Sequence, residues 1–199
     1  MANRSYLYST NVIPGPYVKM EERKLVGISE CNYDIPIVFK LLLSGNPRVC
    51  KSSIWEVPED IALVGDYARG VEHLKEFMQE IKLAAAQPLI GEALDFLNKP
   101  ENQNQFFVLE CGEIFEMESE PIPEQNLALL EEIKGLEPQI QKSLQSLLTP
   151  KEPSSIGFFS KLFGAKLEEP KQSHDPMKLI YTLGLGNWSN ILYHDFTDA

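Results

Sequence analysis

Histidine and cysteine, which carry much of the nucleophilic and metal chemistry of proteins, occur only three times each in this chain of 199 residues. Cys31, Cys50 and Cys111 lie 19 and 61 positions apart. That fits neither paired zinc ligands nor a redox pair separated by two residues. Three buried, reduced thiols are expected, as in a protein of the cytosol. His73, His174 and His194 have no ligand spacing, and the acidic runs lack the glycine of a calcium loop. No metal and no cofactor is expected. Long apolar runs are missing too: Ile35 to Leu43, the densest, is interrupted by Pro36 and Lys40 and falls far short of the ~18 residues of a spanning helix. The opening Met1-Ala2-Asn3-Arg4-Ser5-Tyr6 has no apolar core or cleavage site of a signal peptide, so a cytoplasmic location is expected.

Positive charge is the other deficit. Lys and Arg total 18 against 29 Asp and Glu, a net charge of -11. Such a field repels phosphate backbones, which argues against nucleic acid as a direct partner. It favours encounter with a basic protein. The deficit is sharpest from Glu101 to Glu132, where nine glutamates occur without a lysine or arginine. One explanation is a solvated acidic surface whose glutamates complement a helix start. The functional alternative is a docking face for a basic partner, with Glu110, Glu113, Glu116, Glu118 and Glu120 as contacts.

What is present is an ordinary globular composition, 43% hydrophobic and 24% charged, in a chain long enough to bury a sizeable core. Ser5 to Ser9 alternates as a strand does, and Asn11 with Pro14-Gly15-Pro16 ends it. Leu25 to Ser29 reads as a second strand. Asp34-Ile35-Pro36 reads as a helix start with Asp34 as its cap, leading into a helix over 35–44, apolar on nearly every side and stopped by Gly45-Asn46-Pro47. The β-branched pair Ile37-Val38 leaves a strand open there. Val49 to Trp55 and Ile61 to Val64 read as strands. Tyr67, Val71, Leu74, Met78 and Ile81 then mark an amphipathic helix, and Pro88 to Leu97 another. Around Cys111-Gly112, Gln105 to Glu110 and Glu113 to Met117 suit the arms of a hairpin. From Pro123 a long helical pattern runs to Leu147, with Gly135 and Pro138 favouring two helices over one. The segment 149–176 reads as a surface loop or mobile insertion, and Met177 to Leu183 with Asn190 to Phe196 as a terminal strand pair. The fold class expected is a single α+β domain over 1–199, with a mainly antiparallel sheet covered by helices.

Three stretches carry a resemblance. The opening Met1-Ala2-Asn3-Arg4-Ser5-Tyr6-Leu7-Tyr8, with Asn32-Tyr33-Asp34-Ile35-Pro36 and Val64-Gly65-Asp66-Tyr67, resembles a group of uncharacterised bacterial proteins that share such an opening. The resemblance spans about the first half of the chain and implies a bacterial source. It transfers no reaction and no site.

Each chemical motif has a simpler reading beside it. Gly65-Asp66-Tyr67-Ala68-Arg69-Gly70 follows a strand and opens a helix, but Val71-Glu72 stands where a phosphate-binding loop has its lysine and hydroxyl residue, so Asp66 reads as a helix cap. Gly184-Leu185-Gly186 is followed by Ser189 where a dinucleotide fingerprint has its third glycine, and reads as a turn. No serine lies in a nucleophile elbow or three residues before a lysine. His73 beside Glu72 reads as a solvated residue. An enzyme would need a site assembled from scattered residues, with His194, Asp195 or Cys50 as candidates. The run Ile156 to Leu167 places Phe159, Leu162 and Phe163 near one face with Lys161 and Lys166 beside it. It reads first as a segment docked on the protein's own core and second as an interfacial helix. Membrane contact through it is disfavoured by the net charge. Binding is therefore favoured over catalysis, a toxin-neutralising immunity protein being one example. Oligomeric state is not legible.

Overall fold

The structure, a computed structural model, describes residues 2–15, 23–148, 176–194 and 196. Five strands form one antiparallel sheet: β1 (Arg4–Thr10), β2 (Leu25–Asn32), β3 (Arg48–Cys50), β4 (Ala62–Asp66) and β5 (Phe106–Glu110), in the order β2-β1-β5-β4-β3. The helices are α1 (Ile37–Leu43), α2 (Tyr67–Glu80), α3 (Gln87–Leu97), α4 (Gly112–Phe115), α5 (Ile122–Lys134), α6 (Glu137–Leu148) and α7 (Pro176–Thr182). The arrangement is α+β and single-domain, as composition and pattern predict.

Alternation along the strands sorts the core into two sides. Leu7, Leu63, Phe107 and Leu109 face the helices and join the main core with α1, α2, α3 and α5. Tyr6, Tyr8, Cys50, Ala62, Val64 and Val108 face the opposite side, where Leu192 covers the tyrosines. Both faces are thus buried, and β1 reads as continuously buried from Ser5 to Thr10.

Helix α1 forms as expected, with six of its seven residues buried. Its one charged residue, Lys40, pairs with Glu132 of α5. The helix can lie this close to the β4–α2 junction because two glycines leave room. A Cβ on Gly65 would sit 2.3 Å from the Leu43 carbonyl oxygen, and one on Gly70 would sit 2.0 Å from that of Leu42. The Gly65-to-Gly70 motif is therefore a packing device for α1. The cap is Pro36 rather than Asp34, whose carboxylate accepts the adjacent Ile35 N–H outside the helix.

Three sequence-based expectations are corrected. Glu113 to Met117 is no hairpin arm: β5 is already paired on one edge with β1 and on the other with β4, so no edge is open. The chain instead turns into α4, and Phe115 enters the core. Met177 to Thr182 is helical, within α7, which sends Ile180 into the core. After it, residues 183–186 turn and residues 187–194 run as an irregular strap, not a strand of a pair. It is held to β2 by the bridge of Ser29 with Trp188, by the Ser189 N–H donating to the Ile28 carbonyl at 3.1 Å, and by side-chain bonds that include the Asn190 amide donating to the Gly27 carbonyl at 2.7 Å. The strand begun near Val49 ends at Cys50, because Ser52 and Ser53 turn inward. The long helical pattern does split, into α5 and α6, with Gly135 at the junction. Of the expected insertion 149–176 only Pro176, the start of α7, is described; the run Ile156 to Leu167 lies outside the described residues.

Candidate functional site

The five glutamates expected to form one docking face are divided by the fold. Glu110 ends β5 on the side away from the helices, between Tyr6 of β1 and Ala62 of β4. It is 1% exposed. Its carboxylate accepts the Ser53 N–H at 2.6 Å and the Ser52 hydroxyl at 2.7 Å. Burial raises its pKa to about 7, against the opposing pull of these two donors and the positive field of Arg23. A carboxylate so enclosed offers nothing to a partner, and Glu110 is removed from the docking set. Its work is to hold the loop after β3.

Glu113, in α4, is half-buried and also engaged. It accepts the Tyr6 hydroxyl at 2.9 Å and the Arg4 N–H at 2.9 Å, and lies 3.2 Å from His194 Nε2. Burial and this carboxylate push the Tyr6 phenol well above its usual range. His194 sits edge-on to Tyr6 and Tyr193, with ring centroids 5.1 and 5.5 Å away, and its carbonyl accepts the Tyr8 hydroxyl. Arg4 lies 4.6 Å from the Tyr193 ring. Glu113 thus fastens the C-terminal strap and the start of β1 to α4. Sequence reading named Glu113 and His194 separately and missed Tyr6. No spacing could have joined residues 107 and 81 positions apart.

Glu116, Glu118 and Glu120 are exposed in the turn between α4 and α5. The Gln125 side-chain amide shapes that turn by donating to the carbonyls of Phe115 and Glu120. Glu124 follows on the exposed side of α5, and Met117 and Leu127, each 52% exposed, lie among these acids. The fold then adds acids that sequence reading did not include. The loop after β3 packs against the same end, with Trp55 next to Gly112 and the Asn126 side chain donating to the Asp60 and Ala62 carbonyls. That loop carries exposed Glu56, Glu59 and Asp60, the last paired with Lys51. Glu131 and Glu132 are matched by Lys134 and Lys40.

Among the described residues, no hydrogen bond, ion pair or ring contact joins Cys50 to His194. Cys50 is buried on the sheet, and burial, then the Glu110 charge, pushes its thiol well above the usual range, which opposes nucleophilic use. Cys111 is buried as expected, whereas Cys31 is half-buried. Asp195 lies outside the described residues. His73 is not simply solvated: its Nδ1 lies 2.6 Å from the Ser44 hydroxyl, which ties α2 to the end of α1. Asp66 makes no side-chain cap, because its carboxylate turns to Arg48 at 3.3 Å. Gly184 and Gly186 form the expected turn with φ of +98° and +116°, and Gly184 packs against Pro36.

Clefts open at the helical side. A larger one, about 540 Å³, lies between α2 and α3, and a smaller one, about 190 Å³, is bounded by Leu83, Leu144 and Leu147. Neither is lined by His194, Cys50 or Glu113. Among the described residues, no helix is long and apolar enough to cross a membrane.

Fold and surface together define a small α+β protein with a two-sided sheet and an acidic exposed end. The chain belongs to the family described as a domain of unknown function, DUF7822, whose model matches residues 11–150. The match takes in β2 to β5 and α1 to α6. The strap and the whole of β1, which meet at Glu113, lie outside it. No curated protein and no solved structure matches the chain.

Proposed function

We propose that this is a non-enzymatic binding protein that engages a basic protein partner through the acidic end built from Glu116, Glu118, Glu120 and Glu124 with Glu56 and Glu59. The observation that carries the reading is that the loop bearing exposed Glu56 and Glu59 packs, through Trp55 and Asp60, against Gly112 and Asn126 of the distant segment that bears Glu116 to Glu124, where Met117 and Leu127 are also exposed. Rows of like charge steer a partner of opposite sign, and exposed apolar groups supply the contact area that charge alone does not. A toxin-neutralising role in a bacterial cytoplasm is one form this binding would take, with the acids occluding a basic toxin surface.

The test is affinity capture at low and at high salt, comparing the parent chain with a variant carrying Glu116, Glu118, Glu120 and Glu124 as lysine. These four side chains are exposed and form no ion pair among the described residues, so the variant should fold with a stability within about 1 kcal/mol of the parent. A basic protein should be captured by the parent at low salt, released at high salt and absent from the variant eluate. Capture that is equal for the two chains and insensitive to salt would remove the acidic end from the reading.

A further inference from the structure

The larger cleft has the opposite electrostatic character to the acidic end. Its floor is apolar: Met78 and Ile81 of the α2 side and Ile90 of α3 are each under 9% exposed, and Leu94 closes it. Lys75 and Lys82 stand at its rim. Neither lysine forms an ion pair among the described residues. Lys82 Nζ donates to the Gln79 carbonyl at 2.5 Å, a contact within its own turn with a neutral group. The volume falls in the range of small-molecule sites, roughly 300–1,000 Å³, which pair apolar walls with a few polar groups that fix orientation.

We infer that this cleft binds a free aliphatic carboxylate of medium chain length, its tail against Met78, Ile81, Ile90 and Leu94 and its head between Lys75 and Lys82. Charge complementarity selects the occupant. In a chain of net charge -11, two ammonium groups that form no ion pair among the described residues border an apolar floor. They match a molecule that has one anionic end and an apolar body, and they leave a neutral or cationic amphiphile without a partner for either lysine. Glu80 lines the adjoining smaller cleft together with Ile81 and Lys82. Its charge disfavours a carboxylate in that smaller cleft, which leaves the head between Lys75 and Lys82. This site is separate from the acidic end and does not depend on its role.

Decanoate, kept below its micelle-forming concentration, is the probe, with decanol as the neutral control. In amide-resolved NMR titrations, decanoate should give saturable shifts confined to residues lining the cleft. The Lys75→Glu/Lys82→Glu double variant, checked for an unchanged melting temperature, should bind decanoate at least about tenfold more weakly. Decanol should bind the parent more weakly than decanoate does, and vesicles of anionic phospholipid should not sediment the protein. Absent or unsaturable shifts, equal binding of decanol and decanoate, or equal affinity of parent and double variant would overturn the inference. Sedimentation with the vesicles would assign the lysines to a membrane surface and overturn it as well.

Discussion

A Glu110→Gln variant is expected to lose most of the fall in stability that the parent chain shows as pH rises through the neutral range. Glu110 is buried at 1% exposure, and its pKa is raised from an ordinary 4.5 to about 7. The folded state therefore holds a proton that the unfolded state has released between those two values. Wherever the folded state binds more protons, stability falls as pH rises, so this group's contribution is full below the unfolded pKa and lost as pH passes about 7. A pKa difference of one between the folded and unfolded states corresponds to ~1.4 kcal/mol, so the loss attributable to Glu110 is about 3 kcal/mol. Glutamine keeps an acceptor for the Ser53 N–H and carries no charge. It weakens the bond from the Ser52 hydroxyl, which offsets about 1 kcal/mol. Urea melts at about pH 5 and about pH 8 should then show the variant about 2 kcal/mol more stable than the parent at the higher pH and nearly equal at the lower. Parallel pH dependence in the two proteins would mean that the Glu110 carboxyl is not the buried titrating group.

Gly70→Ala is expected to destabilise the fold by about 3 kcal/mol, although alanine is the better helix former by about 1 kcal/mol. The reason is steric. The new methyl would stand 2.0 Å from the Leu42 carbonyl oxygen, and α1 is buried on nearly every side, so it cannot retreat without disturbing its other contacts. Gly91, in α3, supplies the control, since no atom lies within 4 Å of a Cβ built there. Gly91→Ala should stabilise by about 0.5–1 kcal/mol, through helix propensity alone. Opposite signs for the two glycines, read from chemical denaturation, would establish the close approach of α1 to α2. A Gly70→Ala protein as stable as the parent would place α1 farther out.

The residues that could be read without a structure are those whose role is local. Asn11 and Pro14 after β1, Gly45-Asn46-Pro47 after α1, and Gly135 between α5 and α6 each mark a boundary that the fold keeps. Apolar spacing located α2 and α3 for the same reason, because a helix repeats its buried face within a few residues. Errors arose where a partner from elsewhere decided the outcome. Glu113 to Met117 has a strand-like pattern, but the edge of β5 that it would need belongs to β4. Met177 to Thr182 turns into a helix because its apolar groups find the helical core, not a sheet edge.

The candidate site follows the same division. Nine glutamates without a basic residue between Glu101 and Glu132 are visible in the sequence, as is the net charge that makes a basic partner the natural expectation. Which of them reach solvent is not. Glu110 and Glu113 stand three positions apart, near Glu116, with nothing in composition to separate them. Yet the first is enclosed by Ser52 and Ser53, the second is held by Tyr6, Arg4 and His194, and the third is exposed. Composition and short-range periodicity by themselves determined that the chain folds as an α+β protein, where most of its elements lie and what sign its field has, since each depends on neighbours within a turn or on a simple sum of charges. Only the tertiary structure decided which acids are buried, that Glu56 and Glu59 join the acidic end, and that Lys75 and Lys82 border one cleft, because burial and proximity depend on contacts between distant segments that no local pattern encodes.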